Sequence, residues 1–510
     1  MQELSSEENK RATAAHPTLE KCLEVFDKYK RAARQPQIDC LKHLEQEWDN
    51  ATIHLIRGPV GVGKSLILRA IQEVTEGGIV TSSNVLVDQY AESFPDLNIV
   101  KGRKHYPCML GDSCDVTVTE TKRCCGGCPY TESRSNLELD MLSVFNPITY
   151  FNILTKSSFQ PFSVLLIDEA HTLPEFLRSI DSRNIKPEYL PIGKLDISTP
   201  EKAIEILVGS LEKIQRLIAM KKEKEILDGL ADDNEAVEYL SRVIKRLRFN
   251  PDNYMIAPGL QGKGIQLISK YVPSFQIDKM LASDKIVMAS GTLFPTLVQE
   301  LFGRNIPSKT YQCSNPIPAK NRTIMSLPVA PTMDKDTPPA VYVRTINELV
   351  RSRPKDRGII HMSYSLASRL EGLDERVLRH DKDSKTMVKN LFLSAPEPLW
   401  LLASGMAEGL DLTEDRARVN VIAKLSYPYL GDPYVAWRLK QPGGQLWYSL
   451  QTLTHLMQAV GRTTRSPTDE SITYVLDPGL GRLFDKIKQL VKPSELQNYL
   501  PTDFMESVRF

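Results

Sequence analysis

The sequence contains no uninterrupted apolar run approaching the roughly 18 residues that a membrane span requires. It has no excess of either charge: 64 Lys and Arg against 63 Asp and Glu leave a formal net charge of +1. That balance excludes a polycation held to nucleic acid by bulk charge, so any such binding must come from local basic surfaces. Met1 to Arg11 is polar and lacks an apolar core, so no secretory signal is expected. No short-period repeat is present. These absences predict a cytoplasmic protein without a membrane anchor, in a reducing compartment where disulfides are disfavoured.

Cysteine is scarce and unevenly placed. Of 8 cysteines, Cys22, Cys40 and Cys313 stand apart and are expected to be buried small hydrophobes. The others, Cys108, Cys114, Cys124, Cys125 and Cys128, crowd into one short segment. In a reducing compartment such a group suggests metal before disulfide. Structural zinc and iron–sulfur clusters both accept four thiolates, so ligand count does not separate them. The spacing Cys125-Gly126-Gly127-Cys128 by itself suits a zinc knuckle.

The cysteine segment lies between two halves of a nucleotide site. Gly58-Pro59-Val60-Gly61-Val62-Gly63-Lys64-Ser65 has the spacing of a phosphate-binding loop and follows the apolar run Thr52 to Ile56. Its glycines let backbone N–H groups curl around a phosphate at a helix N-terminus. Lys64 would place its charge between the β- and γ-phosphates, and Ser65 would hold Mg²⁺. Downstream, Asp168-Glu169-Ala170-His171 follows another apolar run. Asp168 would bind Mg²⁺ through water and Glu169 would polarise the attacking water. Near the C-terminus, Gln458, Gly461, Arg462 and Arg465 keep a spacing that lets arginines reach a γ-phosphate across a domain cleft.

Length predicts several domains, roughly three or four. Further short apolar runs at 285–289, 358–361, 399–402, 419–425 and 472–476 alternate with helical patterns. That alternation predicts parallel sheets built from βαβ units, with enough strands for two. Thr199-Pro200 predicts a helix start, and Ile204, Leu207, Leu211, Ile214 and Ile218 follow at helical spacing. The proline-rich stretch Pro316 to Pro339 is expected to be the linker between two α/β domains. Two local basic groups could line a nucleic-acid channel: Lys101, Arg103 and Lys104, and Arg242, Lys245, Arg246 and Arg248.

Taken together, these segments resemble superfamily 2 helicases, specifically the XPD/DinG family of iron–sulfur helicases, in compact bacterial or phage form. Further motifs carry the resemblance in the family's order. Arg34 and Gln37 look like the motif that reads adenine. Thr81-Ser82-Ser83 with Gln89 resembles the first strand-contacting motif, and Ser290-Gly291-Thr292-Leu293 resembles the family's Ser-Ala-Thr motif with Gly for Ala. Glu408-Gly409-Leu410-Asp411 resembles the motif that couples nucleotide to DNA, with Lys424-Leu425 and Asp432-Pro433 after it. Lys101 to Cys108 resembles the approach to a cluster domain, with His105 where Asn is common, and Cys128-Pro129-Tyr130 looks like the final cluster ligand.

The resemblance implies an α/β protein with two RecA-like parallel-sheet domains, a small Fe–S insertion and a helical Arch-like insertion. It divides the first domain into 1–100, 146–175 and 251–315, with the cluster domain at 101–145, the helical insertion at 176–250 and the second domain at 316–510. It implies ATP bound by Gln37, the loop from Gly58 to Ser65, Glu408, Gly409 and Asp411. It also implies Mg²⁺ at Ser65 and Asp168, and a 4Fe–4S cluster on Cys108, Cys114, Cys125 and Cys128. Cys124 is the alternative to Cys125. The implied activity is ATP-dependent 5′→3′ unwinding by a monomer acting on single-stranded DNA and duplex junctions, with Lys64, Asp168, Glu169, Gln458, Arg462 and Arg465 carrying hydrolysis. A translocase that displaces proteins without separating strands, and a zinc-containing nucleic-acid-binding relative, remain open.

Overall fold

The structure, a computed structural model, describes residues 15–108, 127–139, 142–156, 159–193, 195–224, 229–259, 263–303, 306–330, 337–404, 412, 416–464, 466 and 468–510. Cys114, Cys124, Cys125, Glu408, Gly409, Asp411 and Arg465 lie outside the described residues.

Among the described residues, two seven-stranded parallel sheets form the frame. In the first, β1 (Ile53–Arg57), β9 (Lys285–Ser290) and β5 (Val164–Asp168) are central. β10 (Ser308–Gln312) closes one side, and β2 (Gly78–Val80), β4 (Ser143–Phe145) and β3 (Asn98–Val100) close the other. The central strands read as continuous apolar runs because helices cover both faces. Side-chain alternation divides them between two cores: Ile53, Leu55, Leu165, Ile167, Ile286 and Met288 face one, and Ile56, Leu166, Val287 and Ala289 face the other.

The second sheet runs in the order β13 (Val377–Leu378), β14 (Trp400–Ser404), β12 (Gly358–Met362), β15 (Val419–Ile422), β16 (Ser471–Val475), β11 (Arg322–Ser326) and β17 (Val508–Arg509). β11 corrects the expected linker. The stretch from Pro316 to Pro339 contains a strand paired in parallel on both sides, with Ile324 fully buried. Its alternating Thr323, Met325 and flanking prolines give too weak a periodic signal to mark a strand at sequence level.

The three apolar runs that end at the nucleotide motifs occupy adjacent strands. Register pairs Arg57 with Ser290 and Asp168 with Ala289, so all three strands end at one edge of the sheet. In parallel α/β sheets this carboxyl edge is where ligands bind.

The segment after Asp168 forms a separate unit. Helices Pro200–Glu223 and Leu230–Phe249 pack on a small antiparallel sheet of β6 (Arg183–Ile185), β8 (Ile265–Ser269) and β7 (Tyr254–Pro258). Leu207, Leu240, Val243, Leu247, Ile185 and Leu267 form its core. The first helix starts as the sequence predicts: Thr199 is the N-cap, its hydroxyl accepting from the Lys202 amide at 3.4 Å. Within 176–250 the two long helices are accompanied by one short strand, β6, and the other two strands of the small sheet lie just beyond it.

The isolated cysteines are buried, as expected, yet they are not isolated in space. Cys22, Cys40 and Cys313 share one core. Burial pushes the Cys22 thiol up to about 12, which makes it an inert hydrophobe.

Candidate active site: a nucleotide cleft between two sheets

Three helices prepare the phosphate loop. β1 runs into the loop, and α3 (Lys64–Thr75) leaves it, with Gly63 as N-cap in the left-handed region at φ +86°. The side of the loop is braced by α2 (Gln35–Glu47), which follows α1 (Leu19–Lys28). Gln37 Nε2 donates to the Gly63 carbonyl at 3.3 Å, and Gln37 Oε1 accepts from the Arg34 amide at 2.8 Å. Arg34 also donates to the Gly61 carbonyl. A Cβ on Gly63 would stand 2.4 Å from Gln37 Nε2, so the glycine is required both for φ and for space. Gln37 thus lines the cleft as a brace of the loop.

Asp168 and Glu169 sit at the end of β5. The turn is strained: Glu169 adopts φ +50°, a costly conformation for a non-glycine residue. The Thr172 amide and hydroxyl hold it there by donating to the Glu169 carbonyl at 3.1 and 2.9 Å. Asp168 is buried; Ser65 Oγ lies 3.4 Å and the Tyr90 hydroxyl 3.0 Å from its Oδ2. Burial, and then the neighbouring Glu169, push the Asp168 carboxyl up, while Lys64 pulls the other way. Glu169 moves down: burial would raise it, but the His171 hydrogen bond, the Lys64 charge and the Ser290 hydroxyl outweigh that. Two adjacent carboxylates therefore differ in proton affinity, with Glu169 the charged one.

These residues fit Mg²⁺. A buried carboxylate raised by desolvation, facing a hydroxyl, is an oxygen donor pair that a hard cation would satisfy.

A hydrogen-bond relay then crosses to the second domain. Gln458 Nε2 donates to His171 Nε2 at 2.7 Å; His171 Nδ1 contacts Ser290 Oγ at 2.7 Å; Ser290 Oγ donates to Glu169 Oε2 at 3.0 Å. The donor directions agree along its whole length when His171 carries its proton on Nδ1. Gln458 is near the end of the helix Gly444–Val460, and Gly461 and Arg462 follow it into the cleft. Gly461 meets the phosphate loop directly: a Cβ there would stand 2.5 Å from Val60 Cγ2. Gly291, by contrast, has room, since its Cβ would meet only the Gly58 carbonyl at 3.4 Å.

The cleft has a volume of about 960 Å³ and draws its walls from both domains. Its C-terminal rim was not legible in the sequence. Arg57 donates to the Asn498 carbonyl and lies 5.3 Å from the Phe294 ring, which stacks at 6.2 Å on Tyr499. Tyr90 was also missed, although its neighbour Gln89 was identified. No spacing rule marks a tyrosine that reaches a carboxylate 78 residues away.

The ends of the cysteine segment are firmly held. Tyr106 OH donates to the Ile99 carbonyl at 2.8 Å, and its ring meets Tyr130 edge-on. Arg103 lies over Tyr130 at 5.0 Å. Cys108 is half-buried, and Cys128 is buried as the N-cap of the helix Pro129–Glu138, whose dipole favours a thiolate. These two thiols fit a thiolate-bound group. Among the described residues no set of three or more metal-ligating side chains converges. The second basic group divides: Arg246 pairs with Asp181 at 2.6 Å and ties the helical unit to its base, whereas Lys245 and Arg248 line a surface groove.

Two parallel sheets whose facing edges share one cleft define a two-domain α/β fold. The family described as Helicase C-terminal domain matches residues 356–491. No curated protein matches the chain. A solved XPD helicase structure aligns with TM-score 0.60 at 15% identity, over 90% of this chain and 98% of that one. An apo XPD structure aligns with TM-score 0.58 at 15% identity, over 88% of this chain and 98% of that one. The family match covers the second sheet's domain alone, and the likeness to the two XPD structures shows a shared fold across most of the chain. Among the described residues no helix is long and apolar enough to cross a membrane.

Proposed function

We propose that the protein is an ATP-dependent DNA helicase that moves 5′→3′ on single-stranded DNA and unwinds duplexes. The observation that carries this reading is the relay from Gln458 to Glu169, which makes the hydrolytic carboxylate dependent on the position of the second domain. Lys64 neutralises phosphate charge, Ser65 and Asp168 hold Mg²⁺, and Glu169 orients the attacking water. Arg462 and Arg465 offset charge on the γ-phosphate when the cleft closes. Glu408, Gly409 and Asp411 couple the nucleotide to the strand.

Cys108, Cys114, Cys125 and Cys128 hold a 4Fe–4S cluster, which supplies a rigid fold at the duplex junction and no redox step. Polarity and DNA preference rest on likeness to the XPD/DinG helicases. The test is strand displacement on 5′-tailed and 3′-tailed duplexes, with ATP hydrolysis measured beside it. Opening of 5′-tailed DNA alone is expected. Preferential opening of 3′-tailed DNA would overturn the polarity, and hydrolysis without opening of either would favour a protein-displacing translocase.

A further inference from the structure

The helix α4 (Asn84–Ser93) joins the approach to the cysteine segment with the metal carboxylate. It starts at the Thr81-Ser82-Ser83 motif, where the Ser83 hydroxyl accepts from the Leu86 amide at 3.4 Å and Thr81 Oγ1 donates to the Ser83 carbonyl at 3.1 Å. Its first turn is tied to the cysteine side. Asn84 Nδ2 donates to His105 Nε2 at 3.0 Å, and Asp88 forms an ion pair with Lys101. Tyr90, about 9 Å along the helix from Asn84 at the usual rise per residue, turns inward. Its ring is buried against Phe94, and its hydroxyl donates to Asp168 Oδ2 at 3.0 Å. One helix thus joins Thr81–Ser83, the approach to the cysteine segment and Asp168.

We propose that Tyr90 is a positioning residue that sets Asp168 for Mg²⁺, and that α4 transmits strand engagement at Thr81–Ser83 and the Lys101–His105 segment to that carboxylate. The hydroxyl is suited to the role. Ser65 Oγ approaches the same oxygen at 3.4 Å, so Tyr90 supplies the shorter of the two hydroxyl contacts. A one-residue displacement of α4 would carry Tyr90 away from Asp168 while leaving the phosphate loop, braced separately by Gln37, in place. This inference rests on the proposed motor function and adds a regulatory path to it.

The experiment uses the full chain and the fluorescent nucleotide mant-ADP. Tyr90→Phe keeps the ring and deletes the hydroxyl. It should raise the Mg²⁺ concentration at half-maximal mant-ADP binding by on the order of tenfold, as expected for one hydrogen bond to a charged group. Binding measured in EDTA should not change. In a second arm, Asp88→Asn should leave the Mg²⁺ midpoint unaltered and reduce the stimulation of ATP hydrolysis by single-stranded DNA at least threefold. An unchanged Mg²⁺ midpoint in Tyr90→Phe would overturn the positioning role, and undiminished stimulation in Asp88→Asn would overturn the transmission path. Lys64→Ala separates the two levels: if it weakens mant-ADP binding while Tyr90→Phe has no effect, only this inference falls. If Lys64→Ala has no effect either, the motor reading falls with it.

Discussion

The two walls of the cleft are built differently. The first-domain wall is held by contacts within one sheet edge: Gly58 N donates to the Ser290 carbonyl at 3.1 Å, Gln37 braces Gly63, and Tyr90 and Ser65 converge on Asp168. The second-domain wall reaches the loop and the acidic turn through Gln458 on His171 and Gly461 against Val60. One wall is held by contacts within its own domain; the other meets it only across the cleft. Changes in the first wall should therefore alter nucleotide binding, and changes in the second should alter turnover.

Ways to break that contrast differ in expected size. Lys64→Ala should abolish DNA-stimulated hydrolysis and also weaken ATP binding. Glu169→Gln should lose hydrolysis to a similar extent while retaining ATP, as the proposed water-orienting role of this carboxylate requires. Near-normal turnover in Glu169→Gln, followed by phosphate release, would show that the acidic turn is misassigned. Next comes the close approach of the walls. Gly461→Ala places a methyl group 2.5 Å from Val60 Cγ2 and should slow turnover about tenfold, as a misplacement of order 1 Å can. Gly291→Ala, with 3.4 Å to its nearest neighbour, should stay within about twofold of the parent. Equal turnover for the two glycine variants would contradict the steric account.

Cys128→Ser should abolish duplex opening while much of the single-strand-dependent hydrolysis persists. Cys128 caps the helix Pro129–Glu138, outside the cleft walls. Iron and sulfide assay of anaerobically prepared protein checks the cluster, and stoichiometric zinc without iron would replace it.

The smallest effect concerns stability. His54 is stacked on Trp48 at 5.1 Å, and burial holds its pKa down to about 4 from the usual 6.5. The unfolded chain binds the proton more readily, so His54 favours the folded state above pH 6.5, and that contribution is lost as pH falls toward 4. Thermal melts of His54→Phe should show a shallower decline over this interval than the parent. An identical slope would remove His54 from the acid response.

Much of this was legible in the sequence because the central strands are buried on both faces and their apolar runs stand out. Ile53–Arg57, Val164–Asp168 and Lys285–Ser290 end at motifs whose residue types are dictated by phosphate chemistry. Short edge strands such as Asn98–Val100 and Val508–Arg509 carry too few residues for a period to appear. Strand β11 was obscured by flanking prolines, which read as a linker. Tyr90 and the Arg57–Asn498 contact depend on long-range packing that no local pattern encodes. The same holds for Cys40 and Cys313, which are far apart in sequence and meet only through the fold.

The central claim is that hydrolysis requires the second wall and nucleotide binding does not. Arg462→Ala tests it most directly, with ATP affinity and single-turnover hydrolysis measured on the same preparation. The account predicts affinity within about threefold of the parent and hydrolysis slower by on the order of a thousandfold, the usual worth of an arginine acting on transferring phosphate. Loss of affinity by the same factor as hydrolysis, or hydrolysis at the parental rate, would contradict it.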